Sequence, residues 1–234
     1  MGRKNKLRKF AEILSFPNVY ECYDFQQPTL VGPDMQAVDL KGRWQAEHFK
    51  NTHPITLELA CGGGEYTVAL AQRYPERNFI GVDIKGNRIW KGAKDALAKN
   101  LPNAAFLRTR IEIIDRFIAP GEVDEIWITF PDPFPRPSKE NRRLTSAFFL
   151  EKYRSILRPG GLVQLKHDDP DFYQFTLENL RYFAVLKAMG TRSRTLVMMV
   201  LLQALVVGLI GFGIGIGLVG AFALTGRRPG AELT

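Results

Sequence analysis

Five short apolar runs that alternate with helical patterns limit what the middle of this chain can fold into. Each run is short, contains β-branched or aromatic residues and is bounded by glycine or polar residues, as buried strands are. The runs cover residues 55–59, 78–83, 104–108, 122–130 and 162–166. Helical patterns separate them at 66–73, 89–100, 111–117 and 145–157. Strands that alternate with helices form βαβ units, so the sequence predicts an α/β fold with a doubly wound, mostly parallel sheet.

Residues 1–50 lack this alternation and are predicted to form a basic N-terminal extension. Short helices are expected at 6–14 and 42–49, and the prolines and glycine within 16–35 predict a loop between them. The first ten residues contain five basic residues and no acidic one: Arg3, Lys4, Lys6, Arg8 and Lys9. Such a cluster can neutralise nucleic-acid phosphates, with a solvated, frayed terminus as the alternative.

A change of composition near residue 180 separates the central domain, 51–180, from a hydrophobic tail, 181–234. Residues 195–226 contain no ionisable side chain and several closely spaced glycines, and they exceed the roughly 20 residues that cross a bilayer as a helix. We therefore expect a transmembrane segment here, with a buried helix pair as the alternative. The tail also has six basic residues and one acidic residue, so most of the net charge of +8 belongs to it. Net charge alone is therefore no indication of nucleic-acid binding.

A glycine-rich turn follows the first predicted strand, in the sequence LELACGGGEY. Glycines at a strand–helix turn allow the backbone to approach a ligand, and ligands of doubly wound sheets bind outside the carboxyl ends of the strands. Asp83 closes the second strand about 20 residues later, where a carboxylate can accept ribose hydroxyl hydrogen bonds; its alternative role is to cap the next helix. NAD, FAD and S-adenosylmethionine all fit such a turn. The GxGxxG spacing of dinucleotide sites is absent, which favours S-adenosylmethionine.

The fourth predicted strand ends in TFPDPFP, residues 129–135. Prolines at 131, 133 and 135 stiffen this loop and display Asp132 and Phe134 from it. An aromatic ring can stack on a purine while a carboxylate accepts hydrogen bonds from its N–H groups. The loop is therefore predicted to hold a purine, with an ordinary proline-rich turn as the alternative.

Polar residues also follow the fifth predicted strand, in LKHDDPD, residues 165–171. Asp168 is expected to face the same crevice, and His167 is expected to be a surface residue rather than a general base. Between these two loops lie four basic residues, Arg136, Lys139, Arg142 and Arg143. Arg142 and Arg143 can clamp the phosphates of a polynucleotide, with a solvated basic face as the alternative.

These motifs, in this order, resemble the bacterial tRNA (guanine-N7-)-methyltransferase family from residue 2 to about residue 180. The most specific of them are LELACGGGEYTVALA, FIGVDIKGNRIWKGA, FLRTRIE, EIWITFPDPFPR and KENRRLT. The resemblance implies a Rossmann-like class I methyltransferase fold. It also implies transfer of a methyl group from S-adenosylmethionine to N7 of a guanine in the tRNA variable loop, with tRNA as the partner.

The resemblance also implies which residues bind the cofactor. The glycine turn would surround its methionine and ribose parts. The acid that the family has near the adenine aligns with Arg110, and Glu112 is the residue that can substitute for it. Ala60 stands where the family usually has glycine, a mild change if φ at this position is negative. The implied cofactor-binding residues are Glu58, Gly62, Gly64, Asp83, Arg110 and Glu112.

For the substrate side, the resemblance assigns Asp132 as the catalytic or guanine-holding acid. Arg136 takes the place of a basic substrate contact, and Asp168 that of a second substrate-contacting carboxylate. Arg142 and Arg143 complete the predicted substrate-binding set. Guanine N7 already carries a lone pair, so Asp132 is expected to position the base rather than remove a proton.

The C-terminal part departs from this family, because the sequence from Arg181 onward resembles part of an FtsX-like ABC exporter permease. The methyltransferase fold is therefore expected to be truncated and followed by a hydrophobic helical segment. The alternatives to an active enzyme are an inactive chimera and a membrane-tethered nucleotide- or RNA-binding protein. Two distant cysteines, Cys22 and Cys61, form neither a disulfide framework nor a zinc-site spacing. The expected location of the catalytic domain is cytoplasmic, with no metal, and membrane association is expected through residues 195–226.

Overall fold

The computed structural model describes residues 3–179 of the 234-residue chain. The transmembrane segment predicted at 195–226, and with it the tail 181–234, lies outside the described residues. Within 3–179, none of the helices combines the length and the apolar character that a membrane span requires.

One eight-stranded sheet forms the centre of the described part. Its strand order is β3-β2-β1-β6-β5-β4-β7-β8; the strands from β1 to β8 in this order are parallel, and β2 and β3 are antiparallel additions at one edge. The doubly wound, mostly parallel sheet predicted from the sequence is confirmed. The strands are β1 Val19–Cys22, β2 Leu30–Val31, β3 Ala37–Val38, β4 Ile55–Leu59, β5 Asn78–Asp83, β6 Ala104–Arg108, β7 Val123–Thr129 and β8 Leu157–Lys166.

Helices cover both faces of the sheet. Because β4 is covered on both sides, all five of its residues are buried, including the polar Thr56 and Glu58 that alternate with its apolar residues. The α-helices are α1 Arg3–Ile13, α2 Glu65–Arg73, α3 Gly86–Ala98, α4 Ala147–Ile156 and α5 Pro170–Glu178. Shorter turns are a π-helical turn Trp44–Phe49 and 3-10 helices Pro33–Met35, Ile111–Arg116 and Pro137–Arg142.

The N-terminal residues contribute strands to the sheet, so the prediction of a loop over 16–35 is wrong. β1 pairs in parallel with β6, and the Tyr20 ring packs edge-on against Trp44 with centroids 5.2 Å apart. Tyr20 Oη lies 2.7 Å from Nδ1 of His48, whose pKa is lowered to about 4 by burial. A neutral aromatic cluster thus packs β1 against the turn that precedes β4.

The last strand begins earlier than predicted. α4 ends at Ile156, and β8 already starts at Leu157 rather than at Leu162. Leu157 pairs with Val123 and Leu162 pairs with Glu125, so the segment with Pro159 and two glycines bulges out of the ladder between them. The proline and glycines are therefore accommodated as an irregularity inside one strand.

Candidate active site

A cavity of about 490 Å³ opens at the carboxyl edge of the sheet. The chain passes from β4 outward to β5 and β6 on one side, and later to β7 and β8 on the other, so the strand order reverses beside β4, where doubly wound sheets bind ligands. Five predicted site residues line the cavity: Asp83, Arg110, Glu112, Asp132 and Arg142. The other predicted residues lie outside its lining: Glu58, Gly62, Gly64, Arg136, Arg143 and Asp168.

The two predicted glycines of the turn after β4 have different reasons to be glycine. Gly62 has φ +59°, and a side chain there would meet nothing within 4 Å, so its backbone borders open space. Gly64 has φ +73°, and a Cβ would lie 2.5 Å from the Phe106 ring. Gly62 is therefore suited to approach a ligand, whereas Gly64 lets the turn pack against the sheet.

Asp83 joins the end of β5 to the glycine turn. It is 6% exposed, its Oδ2 accepts a hydrogen bond from the Gly62 amide at 3.0 Å, and its Oδ1 accepts one from the Lys85 amide at 2.7 Å. The carboxylate therefore orders the first turn of α3 as well as the glycine turn. It also lines the cavity, and its oxygens retain lone pairs that can accept further hydrogen bonds.

Glu58 lies beneath the same turn, and both of its carboxylate oxygens accept hydrogen bonds from protein donors. Its Oε2 accepts hydrogen bonds from the Thr67 amide at 2.8 Å and the Thr67 hydroxyl at 2.5 Å, and its Oε1 accepts one from Thr129 at 2.9 Å. Burial raises the pKa of Glu58, and the three hydrogen bonds partly oppose that rise. Glu58 therefore ties β4 to α2 and β7. Burial also raises the pKa of the neighbouring Cys61 thiol, which keeps it un-ionised and unsuited to nucleophilic chemistry.

Ala60, which lines the cavity, has φ +58°. The condition under which alanine would be a mild replacement, a negative φ, is therefore not met. A left-handed conformation costs a residue with a Cβ about 1–2 kcal/mol. The glycine turn consequently contains one strained residue.

Replacing Ala60 with glycine is expected to stabilise the folded state by about 0.5–1 kcal/mol, because relief of strain exceeds the extra entropy of the unfolded chain. Thermal unfolding would show a rise in Tm of about 2 °C. Asn100→Gly is the matched control, since Asn100 also has positive φ, at +53°, but asparagine tolerates it. An equal gain at both positions, or a loss at Ala60, would contradict strain as the cause.

The proline-rich loop after β7 presents Asp132 at the cavity. Two phenylalanines flank this carboxylate, and both have positive φ, +46° at Phe130 and +43° at Phe134. The Phe130 amide donates a hydrogen bond to the Lys166 carbonyl at 2.8 Å, which fixes the start of the loop to β8. Phe130, Asp132 and Phe134 all line the same cavity, so the carboxylate and two aromatic rings are available to one ligand.

The two adjacent arginines after this loop have separate positions. Arg142 lines the cavity and its guanidinium lies 4.7 Å from the Phe134 ring centre. Arg143 is 7% exposed; its Nε donates to the Pro133 carbonyl at 3.0 Å and its Nη2 to the Phe134 carbonyl at 3.3 Å. The predicted phosphate clamp of both arginines needs correction, because the Arg143 guanidinium is buried and already bound to the loop that carries Asp132.

His167 and Asp168 also differ from expectation in their exposure. The His167 side chain is 5% exposed rather than on the surface, and Asp168 is 84% exposed rather than in the cavity. Nδ1 of His167 accepts a hydrogen bond from the Asp169 amide at 2.8 Å. The ring hydrogen is therefore on Nε2, which donates a hydrogen bond to the Pro131 carbonyl at 3.0 Å. His167 thus fastens the loop at Pro131, as Arg143 does at the next residues. Arg136 is exposed outside the cavity lining.

Sequence reasoning identified Phe134 but missed other apolar residues of the cavity. Phe130 is 49% exposed and Ile84 is 43% exposed, and both line the cavity. Large apolar residues directly after a strand-end carboxylate, or before a strand-end proline, are the signal that could have identified them. Their exposure at a cavity mouth favours contact with a flat ring.

Comparisons with known proteins find similarity to methyltransferases. The family described as "Putative methyltransferase" matches residues 52–195. A tRNA (guanine-N(7)-)-methyltransferase of Bacteroides thetaiotaomicron is 50% identical over 173 residues, which cover 74% of this chain and 66% of that protein. The protein with the same description from Christiangramia forsetii is 49% identical over 177 residues, which cover 76% of each chain.

Two further matches concern the structure and the tail. A structure of the 16S rRNA (adenine(1408)-N(1))-methyltransferase of Catenulisporales acidiphilia with the cosubstrate SAM has 22% identity and a TM-score of 0.45, over 56% of this chain and 63% of that one. Residues 172–225 match the FtsX-like permease C-terminal family. The chain spans about two thirds of the length of the Bacteroides relative.

Proposed function

The chain belongs to the tRNA (guanine-N(7)-)-methyltransferase family, and from this membership we propose that it transfers a methyl group from S-adenosylmethionine to N7 of a guanine in tRNA. One observation carries the proposal. A single cavity contains both Asp83, beside the glycine turn, and Asp132, on the rigid loop after β7. The residues proposed to bind the cofactor and those proposed to bind the guanine therefore line the same cavity at the carboxyl edge of the sheet.

The residues at one side of the cavity fit S-adenosylmethionine. The open space beside Gly62 admits an extended ligand close to the backbone, and Asp83 offers lone pairs to ribose hydroxyls. Ile84, directly after Asp83, offers an exposed apolar surface to an adenine ring. Glu112 lines the cavity further along and can accept a hydrogen bond from an adenine amino group, with Arg110 beside it. When bound, the cofactor would supply an activated methyl group on a positively charged sulfur.

The residues at the other side fit a guanine that needs positioning rather than activation. Guanine N7 carries an exposed lone pair, so no proton has to leave before it reacts. Asp132 can accept hydrogen bonds from the N–H groups of the base's opposite edge, while Phe130 and Phe134 present rings for stacking. Holding the base so that N7 faces the methyl group, with water excluded, is the principal contribution required of the protein.

Exposed polar residues around the cavity fit the rest of the nucleic acid. Arg142, at the cavity, and Arg136, outside it, can each bind a phosphate, and the exposed Asp168 can contact a base or ribose. Arg143 is assigned to hold the loop instead. These three roles require that RNA is the substrate, as proposed above.

Membrane attachment through residues 195–226 stays a prediction that rests on sequence composition and on the likeness to an FtsX-like permease. With it goes the proposed division into 51–180 as the catalytic part, in the cytoplasm, and 181–234 as the tail. Flotation of the full chain with liposomes tests this proposal. Recovery in the lipid-free fraction without detergent would argue against it.

Incubation of the full chain with labelled S-adenosylmethionine and unmodified bulk tRNA tests the proposed function. The expected result is incorporation of label, recovered as 7-methylguanosine after nuclease digestion. Incorporation at another base or atom would overturn the proposed specificity. Cofactor binding without any incorporation would instead indicate an inactive chain that retains its cofactor pocket.

Glu58→Gln is expected to weaken S-adenosylmethionine binding about 10-fold at pH 7.5, because the change removes a buried negative charge beneath the turn. The raised pKa means that the carboxyl group of Glu58 becomes neutral at a higher pH than an ordinary glutamate. Wild-type affinity should therefore fall as the pH falls through that raised pKa, and the variant should lack this dependence. Titration calorimetry across mildly acidic to neutral pH measures both effects.

Measuring the stability of Glu58→Gln distinguishes an effect on cofactor binding from a loss of folded protein. A carboxyl group with a raised pKa in the folded state costs stability once it is ionised, so the variant should be as stable as the wild type, or more stable, at pH 7.5. Glu65→Gln is the control, because Glu65 is exposed and paired with Lys91. Unchanged affinity in Glu58→Gln would show that its charge does not act on the cofactor.

A further inference from the structure

Two neighbouring helices form a strongly basic surface beside the cavity. α1 and α3 together contain eight basic residues and two acidic ones. They are packed together: the Trp90 indole N–H donates to Glu12 at 2.8 Å, and a Cβ at Gly86 would lie 3.1 Å from the Phe10 ring. We call the exposed side of this pair the α1–α3 face. Its charge is carried by two helices that pack against each other.

The positive charge of this face is only partly neutralised within the described residues. Arg8 pairs with Glu12 at 2.7 Å, and hydrogen bonds from Arg8 and Trp90 lower the pKa of Glu12. Lys91 pairs with Glu65 on α2. The ion pairs of residues 3–179 leave Lys6 and Lys94, both exposed, without a carboxylate partner. These two ammonium groups are available to an external anion.

Two of the cations on this face lie against an aromatic ring. Nζ of Lys9 lies 4.3 Å from the centre of the Trp90 ring system and Nζ of Lys94 lies 4.8 Å from it. An amino group resting on an aromatic face loses less freedom when it binds a phosphate than one on a fully mobile side chain. The face is therefore partly preorganised for a run of negative charges.

The face is continuous with the cavity. α3 begins at Gly86, and Lys85 and Arg88, at this end of the helix, line the cavity. A chain of phosphates leaving the cavity mouth on this side would therefore pass from Lys85 and Arg88 to Lys94 and α1. A membrane surface fits less well, because interfacial helices present a broad apolar side, whereas Leu7 is the exposed large apolar residue on the described parts of these two helices.

We propose that the α1–α3 face binds the ribose-phosphate backbone of the same RNA whose guanine enters the cavity. This inference rests on the proposed function and adds a second, sequence-independent contact surface to it. Phosphate contacts of this kind fix the position of a nucleic acid and supply salt-dependent affinity.

The test compares two doubly substituted full-length chains. Lys6→Gln/Lys94→Gln removes two charges from the face without touching the cavity lining. Lys50→Gln/Arg116→Gln is the matched control, because both residues are exposed, and neither belongs to α1 or α3 or lines the cavity. Fluorescence anisotropy measures Kd for unmodified tRNA over a series of salt concentrations. Cofactor affinity and Tm should stay unchanged in both chains.

The face variant is expected to bind tRNA about 10-fold more weakly at 0.1 M salt, with a slope of log Kd against log salt shallower by about 1.5. The control should match the wild type. Equal behaviour of both variants, absence of tRNA binding, or loss of binding to vesicles rich in anionic lipid without any loss for tRNA would each overturn the proposal.

The result is separable from that for the proposed function. A shallower salt slope in a chain that transfers no methyl group to guanine would support the face and refute the activity. Methyl transfer to guanine N7 with an unchanged slope would support the activity and refute the face.

Discussion

Asp132→Asn is expected to lower kcat/KM for methyl transfer to tRNA by about 100-fold, with cofactor affinity unchanged. In the proposed site the carboxylate accepts hydrogen bonds from guanine N–H groups, and an amide turns one of these acceptors into a donor that opposes them. The base would then be held less firmly against the methyl donor. Single-turnover measurement with unmodified tRNA gives the rate, and calorimetry with S-adenosylmethionine gives the affinity.

Asp168→Asn is the control for this experiment, because Asp168 is an exposed carboxylate outside the cavity lining. The Asp168→Asn variant should change kcat/KM for tRNA, through KM, by a smaller factor than Asp132→Asn does. Its single-turnover rate should stay near that of the wild type. The pH profile provides a second criterion. If Asp132 positions the base, the profile of the variant keeps the shape of the wild-type profile at a lower rate. Unchanged turnover in Asp132→Asn would remove this residue from the mechanism.

The central strands were predictable because burial on both faces leaves a direct mark on sequence. β4 to β7 are short apolar runs, and each was located within a residue of its observed bounds. β1 was not predictable in this way, because VYEC is four residues long and lies between prolines that indicate a loop. Its place in the sheet depends on the packing of Tyr20 against Trp44, a contact between distant parts of the chain that periodicity does not record.

Some residues of the candidate site could likewise be predicted from the sequence, and others could not. Asp83 and Asp132 follow strand ends, and parallel strands bring their carboxyl ends to one edge, so their shared cavity could be expected. The burial of Arg143 and His167 could not be expected, because it depends on how α4 and α5 close over the loop. Basic and imidazole side chains usually mark a surface, and only the tertiary structure shows that these two bind loop carbonyls.

Arg143→Met is expected to lower Tm by several degrees and to reduce methyl transfer beyond the loss of folded protein. The buried guanidinium donates to the carbonyls of Pro133 and Phe134 and lies 4.2 Å from the Phe175 ring centre. Methionine retains much of the stem but leaves both carbonyl acceptors without a donor, at a cost of about 2–4 kcal/mol in total. The loop would then no longer hold Asp132 in one position.

Kinetics on the folded fraction distinguish positioning from simple loss of stability. Below Tm, the variant should show a lower kcat and a higher KM for tRNA with an unchanged KM for the cofactor. Arg143→Lys should restore part of the stability and part of kcat, since an ammonium group reaches one carbonyl rather than spanning both. Arg142→Met is the matched control: this cavity-facing neighbour should raise KM for tRNA while Tm stays near the wild-type value. If the folded fraction of Arg143→Met has wild-type kcat and KM, Arg143 stabilises the fold without positioning the loop for catalysis.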